Sequence, residues 1–415
     1  MSKNRVAIVG GVRTPFVKAG TSYSKYTFQD LSSMVLASLV EKYALDAVHI
    51  DEVIWGTVLL DPRTPNWARE ILFQAGLPKS VYAYSVSNNC ISGLVALTCA
   101  AERINAGRAN MSIAGGAESM SNPSLLFNDH ASNIFKSLFQ ARTLSDRLKL
   151  MIKFRPKDFL PNPPSVTEPS TGLTMGQHME LTAKELKIDR SSQDEVAFRS
   201  HQRAAAATND GRLKEFLLPV DGIDKDLLIR GDTSLEKLST LKPVFDRSSS
   251  GTLTAGNSSP LTDGAAAVLL LSEDEAKRQE REVLAYVSDY EYSAIDPKDG
   301  LLMAPAVAVP RLLMRNNLTL KDFDLVEIHE AFGAQVVANE KAWSEGLKEE
   351  AVGTIDSGKV NVLGGSIAIG HPFAATGGRI VMHLAAEMKR RDAKRGLVSI
   401  CAAGAMAGAL ILERD

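Results

Sequence analysis

"YSVSNNCISGLVALTCA" (84–100) sets a strand-like stretch directly against a helix-like one, and the joint carries Cys90, one of only three cysteines in 415 residues. A strand feeding a helix is the elementary unit of an α/β sheet, and the same order recurs outward in both directions. Upstream, "RVAIVGG" (5–11) reads as a strand, "FQDLSSMVLASLVEKYA" (28–44) as a helix with apolar residues at helical spacing, "HIDEVIWGTVL" (49–59) as a strand and "PNWAREILFQAG" (65–76) as a helix. Downstream, "NMSIAGGAESM" (110–120) is a buried-strand run ending in glycines. Strands alternating with helices predict a parallel or mixed sheet with helices on both faces.

The C-terminal part repeats this arrangement. "DLVEIHEAFG" (324–333) is strand then turn, "GHPFAATGGRIVMHLAAEMKRR" (370–391) a glycine-rich turn into a helix, and "RGLVSICAAGAMAGALILE" (395–413) two apolar strands about a glycine turn. Laid over the Cys90 region, the second half has the same succession of small-residue turn, helix, strand and Gly/Ala corner. The expected division is therefore an N-terminal half of 1–121 plus 252–281, an inserted and mostly helical loop domain of 122–251, and a C-terminal half of 282–415. The insertion holds the proline-rich "RPKDFLPNPPSVTEPSTG" (155–172) and the charged helical run "SSQDEVAFRSHQRAAAATNDGRLKEF" (191–216). Within it, 132–157 carries seven Lys/Arg against one Asp, interleaved with Phe, Leu, Ile and Met. A basic amphipathic segment of this kind suits a membrane surface, a partner, or packing on its own protein with the basic face solvated.

Composition narrows the field. The chain is 45% hydrophobic and 23% charged with a net charge of −2, ordinary for a soluble globular protein and without a global drive toward nucleic acid. The opening "MSKNRVAIVGG" runs straight into a strand pattern, which predicts a cytoplasmic protein, peripheral at a membrane at most. Cys90, Cys99 and Cys401 lack the CxxC spacing of a zinc site and are too few for a disulfide framework. "HEAFG" (329–333) begins like HExxH but places Gly333 at the second histidine, and "GGSIA" (364–368) falls one glycine short of GxSxG.

Cys99 lies nine residues after Cys90 on the same helix and reads as packing. Cys90 differs by position: at a helix N-terminus, unpaired N–H groups and the positive dipole end favour a thiolate. His371 occupies the corresponding corner of the second half, so halves packed back to back would bring thiol and imidazole together as an activated nucleophile. Cys401 ends a buried strand at a small-residue corner, and His329 ends another, the usual ligand edge of open α/β sheets. His49, His130, His178, His201 and His383 match no catalytic pattern and are assigned surface or structural roles.

Taken in order, "RTPF" (13–16), "NNCISG" (88–93), "GGAESMS" (115–121), "GNSSPLTDGAAA" (256–267), "HEAF" (329–332), "GHP" (370–372) and "CAAG" (401–404) resemble the thiolase family along nearly the whole chain. The HEAF form, where many members carry NEAF, and CAAG in place of the commoner CxGG resemble the thiolase subunit of fatty-acid oxidation trifunctional complexes. Ala374, Ala405 and Ala407 stand where the family often has glycine. The resemblance implies two βαβαβαββ halves stacked as five layers, with an inserted loop domain. It implies thiolysis of a 3-oxoacyl-CoA by coenzyme A to acetyl-CoA and a shortened acyl-CoA. His371 would take the proton of Cys90, whose sulfur holds the acyl group, and Cys401 would act as acid and then base. His371 and His329 would serve one oxyanion, and the backbone N–H groups of Cys90 and Ala403 the other. Ser259 would lie near the pantetheine arm, Arg230 near the nucleotide end of coenzyme A, and Met175 in the acyl pocket, although a loop arginine is ordinarily a solvated charge and a methionine ordinarily core. No metal or resident cofactor is implied, coenzyme A being a substrate. The expected partners are acyl-CoA and CoA, a second copy in a homodimer or higher assembly, and a hydratase/dehydrogenase α subunit. Two rival readings are a biosynthetic acetoacetyl-CoA thiolase using the same residues in reverse, and a silent acyl-CoA-binding scaffold, which would have no need of both thiols.

Overall fold

The computed structural model describes residues 4–162 and 167–415. Its strands are β1 (Val6–Arg13), β2 (Val17–Lys18), β3 (Glu52–Gly56), β4 (Tyr82–Val86), β5 (Met111–Glu118), β6 (Thr262–Ser272), β7 (Ala285–Ala294), β8 (Leu325–Ile328), β9 (Arg395–Ala402) and β10 (Met406–Glu413). Hydrogen bonding orders them β4-β3-β5-β6-β1-β7-β10-β9-β8, with β2 paired to β6. Read outward from the centre, β1-β6-β5-β3 and β7-β10-β9-β8 have the same succession. The expected internal repeat is therefore a repeat of topology, related about the β1/β7 pair, where Val6 faces Val287 and Ile8 faces Ala285. In both halves the outer pairs, β3 with β5 and β8 with β9, are parallel and the inner pairs antiparallel. The counterpart of β4 in the second half is reduced to one parallel bridge, Val326 to Val360.

The five layers follow from period-two alternation along these strands. Val6, Ile8 and Ile54 of the first half and Val398, Ile400, Leu410 and Leu412 of the second all turn to one central cluster with the helices Ser92–Asn105 and Ala375–Arg390. Ala7, Val9, Val53 and Trp55 turn the other way onto Phe28–Lys42 and Trp67–Gln74. On the opposite side Leu397, Ala407, Ala409 and Ile411 meet Pro305–Arg315 and Gly333–Glu345. The two central helices are buried along most of their length, with Glu102 and Arg390 exposed toward their C-terminal ends, and their N-terminal turns are glycine-rich because they touch. A Cβ on Gly93 would meet the Ala374 carbonyl oxygen, and one on Gly377 the Leu94 amide.

By compactness the chain falls into two units: Leu59–Pro65 with Pro123–Val166, and all the rest. In the smaller unit the helices Asp129–Gln140 and Leu144–Met151 are capped by Asn128 and Thr143. Phe127, Phe135, Phe154 and Phe159 form a chain of rings 4.9–5.3 Å apart, and the buried Asp158 accepts from the Arg155 amide and pairs with His130 Nδ1 at 2.8 Å. Phe139, Leu144 and Ile152 are 91%, 74% and 83% exposed, so part of the apolar surface of 132–157 is not covered within its own unit.

Candidate active site

Cys90 sits one residue before the N-cap of Ser92–Asn105, in a turn held by one hydroxyl: Ser92 Oγ accepts from the Asn88 amide (2.8 Å) and donates to the Asn89 carbonyl (2.7 Å). Asn89 is left-handed (φ 48°), which turns the chain sharply enough to present the next residue, and its side-chain amide donates to the Ala403 carbonyl at 2.9 Å. The same 403–404 peptide donates its other end, Gly404 N–H, to the Glu168 carboxylate at 2.9 Å. With that peptide clamped at both ends, the Ala403 N–H and the Cys90 N–H are both directed at the Cys90 sulfur. Cys401, buried in β9 opposite Ala407, lies close enough for its own ionisation to be opposed by Cys90.

The expected thiolate-favouring field at Cys90 is present but loses. Burial pushes the Cys90 thiol up to about 12, against the two amide donors, and the Glu118 carboxylate pushes the same way. Burial and the neighbouring Cys90 hold Cys401 well above the ordinary thiol range. The resting site holds two neutral thiols. Cys99 is half-buried and hydrogen-bonded to Tyr84, as a packing residue.

The two histidines come together from different segments. His329 follows β8, and His371 follows Gly370, whose φ of 114° is open only to glycine, at the head of Ala375–Arg390. Their rings are 4.0 Å apart. Glu330 brings the segments into contact: its carboxylate accepts from Ser200 Oγ (2.7 Å), Asn361 Nδ2 (2.6 Å) and the Ile367 amide (3.1 Å), and a Cβ at Gly365 would collide with it. Burial forces both imidazoles toward neutrality, His371 down to about 3 and His329 well below its usual value, with Arg379 adding to each. His329 Nδ1 is 2.8 Å from Ser366 Oγ and His371 Nδ1 2.6 Å from Thr376 Oγ1, while both Nε2 atoms are buried without a partner among the described residues. Two orphaned ring nitrogens side by side are a place for a ligand's oxygen or proton.

Joining the two groups are the touching N-terminal turns of the central helices and the Glu118 carboxylate, which reaches Thr57 Oγ1 (2.9 Å) and the Ala374 amide (3.4 Å) and influences Cys90. Ser259 donates its amide to the Ala331 carbonyl of the HEAF segment at 2.9 Å. Its neighbours Ser258 and Pro260 line a pocket with His201, Arg230 and Lys237, and Arg230 is exposed on its rim. Met175 opens the helix Met175–Glu185 and packs in a different, apolar cluster with Cys401, Phe245 and Phe332. Sequence reasoning overlooked Asn89, Glu168, Ser366, Thr376, Arg379 and the pocket residue His201. The only visible signal was Arg379, a charge early in a helix rich in apolar residues. Ala405 is left-handed at φ 55°, where glycine would be unstrained.

Comparison with known proteins agrees with this geometry. Residues 6–274 match the thiolase N-terminal domain and residues 281–414 the thiolase C-terminal domain. A 3-ketoacyl-CoA thiolase of Pseudoalteromonas translucida (strain TAC 125) is 43% identical over 423 residues, covering 99% of this chain and 97% of the relative. One of Escherichia coli (strain 55989 / EAEC) is also 43% identical, with the same coverage. The crystal structure of the Bacillus anthracis acetyl-CoA acetyltransferase superposes with a TM-score of 0.85 at 31% identity, covering 99% of both chains. With both family domains matched in order and the paired halves touching at the helix turns that follow Cys90 and His371, the chain belongs to the thiolase family.

Proposed function

We propose that this protein is a 3-ketoacyl-CoA thiolase of fatty-acid β-oxidation, an acyltransferase that cleaves 3-oxoacyl-CoA with coenzyme A. The observation that carries the reading is the grouping of Cys90 and Cys401 with an amide pair at the sulfur and two neutral histidines with unpartnered Nε2 atoms. Cys90 attacks the C3 carbonyl as its proton passes to His371, so the thiolate forms only with substrate in place, consistent with a resting thiol held near 12. The amides of Cys90 and Ala403 receive the oxyanion at C3, and the shortened acyl chain remains on sulfur as a thioester. His329 and His371 hold the thioester oxygen of the departing enolate while Cys401 protonates its C2. Cys401 then takes the proton of incoming CoA, whose sulfur attacks the acyl-enzyme; the bond to the Cys90 sulfur breaks as the shortened acyl-CoA leaves, and Cys90 takes its proton back from His371. A thiol suits this role because its ordinary pKa, about 8.5, nearly matches that of the CoA thiol. Coenzyme A enters as substrate, with Arg230 and Ser259 on its path and Met175 toward the acyl chain, and no metal or resident cofactor takes part.

Thiolysis of acetoacetyl-CoA and of a long-chain 3-oxoacyl-CoA, followed by loss of magnesium-enolate absorbance beside Cys90→Ala, tests the reading. Cys90-dependent turnover favouring the long chain supports it. Turnover of acetoacetyl-CoA alone transfers the chain to the short-chain thiolases, and none with either substrate makes it a silent acyl-CoA binder.

The finer assignments are also proposals. Homodimer formation is supported by β4, an edge strand with Tyr82 54% exposed, free to pair with its copy. Peripheral membrane attachment from the cytoplasm, beside a hydratase/dehydrogenase α subunit, is supported by the exposed Phe139, Leu144 and Ile152 among the seven cations of 132–157. Flotation with anionic vesicles, lost in Phe139→Asp/Ile152→Asp, distinguishes lipid contact from co-purification with a partner that survives without lipid.

A further inference from the structure

The two histidines have the same charge and nearly the same position, yet the proposed chemistry asks opposite things of them. Hydrogen-bond accounting at their Nδ1 atoms separates them. Ser366 Oγ has two neighbours, His329 Nδ1 and Arg379 Nη2, each at 2.8 Å. A guanidinium only donates, so Ser366 accepts from Arg379 and its own hydrogen remains for His329 Nδ1. A proton on His329 Nδ1 would strand that hydroxyl hydrogen in a buried site, at the full cost of an unmade bond. Thr376 Oγ1 is placed the other way. Its hydrogen has an acceptor of its own in the Pro372 carbonyl at 3.2 Å, which also takes the Ala375 amide at 2.9 Å, and with the hydroxyl turned there Thr376 offers His371 Nδ1 a lone pair.

We infer that Ser366, backed by Arg379, and Thr376 are positioning residues that impose opposite tautomers on the adjacent histidines: His329 with its proton on Nε2, His371 with Nε2 bare. His371 is then the one that accepts the Cys90 proton, the S–H bond breaking as the Nε2–H bond forms, and His329 the one that donates to a substrate oxygen. Arg379 is fully buried and its only hydrogen bond among the described residues is the one to Ser366. Burial lowers it to about 10, which still leaves it charged, and therefore an obligate donor, at neutral pH.

The assignment of chemical roles rests on the thiolase reading, but the tautomers are measurable without turnover. Long-range ¹H–¹⁵N spectra of histidine-labelled protein, assigned with His329→Gln and His371→Gln, are expected to show protonated Nε2 at 329 and bare Nε2 at 371. Two rings in the same tautomer overturn the inference whatever the activity. Kinetics divide the two devices. Ser366→Ala is expected to lower kcat by about 10–100-fold, within the range for a weakened oxyanion donor, with KM nearly unchanged. It should leave the rate of Cys90 alkylation by iodoacetamide at the wild-type value. Thr376→Val is expected to slow both alkylation and turnover by about tenfold or more, the scale of a lost general base, with recovery in Thr376→Ser. Wild-type kcat in Ser366→Ala alongside an inactive His329→Gln overturns the Ser366 device. A His329→Gln variant with wild-type turnover instead removes His329 from the chemistry, and the spectra still decide the tautomers.

Discussion

Gly93→Ala tests whether the distance between the two central helices sets the chemistry. A Cβ built on Gly93 would lie 2.2 Å from the Ala374 carbonyl oxygen, a backbone atom with no rotamer to yield. Carbon and oxygen settle at about 3.3 Å, so the helix carrying Cys90 must withdraw by about 1 Å from the segment carrying His371. Overpacking of one methyl costs about 1–3 kcal/mol. At about 2.1 cal/mol/K per residue, 415 residues give an unfolding entropy near 0.9 kcal/mol/K, so Tm should fall by only about 1–3 °C. Misplacing reacting groups by about 1 Å costs on the order of 100-fold in rate. Expected, then, is a folded protein, nearly native by thermal melting, whose thiolysis at 25 °C has collapsed. Wild-type turnover in Gly93→Ala, at whatever Tm, would refute the argument, because the spacing would then be irrelevant to the reaction.

Asp226→Ala removes the partner of a fully buried cation: Arg13 is paired to both Asp226 oxygens at 2.7 Å, and the Phe16 amide shares one of them. Urea unfolding should register a loss of about 3–5 kcal/mol, the cost of an orphaned buried charge; a loss under 1 kcal/mol would mean water reaches the pair. His383 is buried against Phe216 with neither ring nitrogen partnered among the described residues, and burial holds it well below its usual value of 6.5. The unfolded chain therefore binds the extra proton, and stability present above pH 6.5 is lost as pH falls. His383→Leu should reduce that acid slope by up to about 1.4 kcal/mol per pH unit, measured as urea midpoints at pH 7 and pH 5; an unchanged slope contradicts the assignment. Ala405→Gly should be neutral or stabilising by up to about 1 kcal/mol, opposite to an ordinary Ala→Gly change, because Ala405 holds a φ of 55°. A loss of more than 1 kcal/mol would show that the methyl packs better than the backbone suffers.

The alternation of strands with helices, the repeated succession of turn, helix and strand, and the small-residue corners around Cys90, His371 and Cys401 are local patterns, and periodicity is a local property. They were therefore legible in the chain itself. So was the chemical inventory, since HEAF, GHP and CAAG each contain their reactive side chain within a few residues of a glycine.

What the chain could not disclose is every quantity that depends on residues far apart in sequence. A helix N-terminus alone predicts an acidic Cys90; only the packed halves reveal that burial and Glu118 overrule the dipole. The apolar 132–157 segment reads as amphipathic in isolation, and its exposure was decided by the fold of its own small unit. Ser366 and Thr376 look like two ordinary hydroxyls, one in a glycine turn and one at a helix start. The roles inferred for them emerge because Arg379 and the Pro372 carbonyl reach them in space, which biases the direction of each hydrogen bond and so the proton on each histidine. Sequence determined which groups are present; desolvation and hydrogen-bond direction, which exist only once the two halves close on each other, determined what state each group is in.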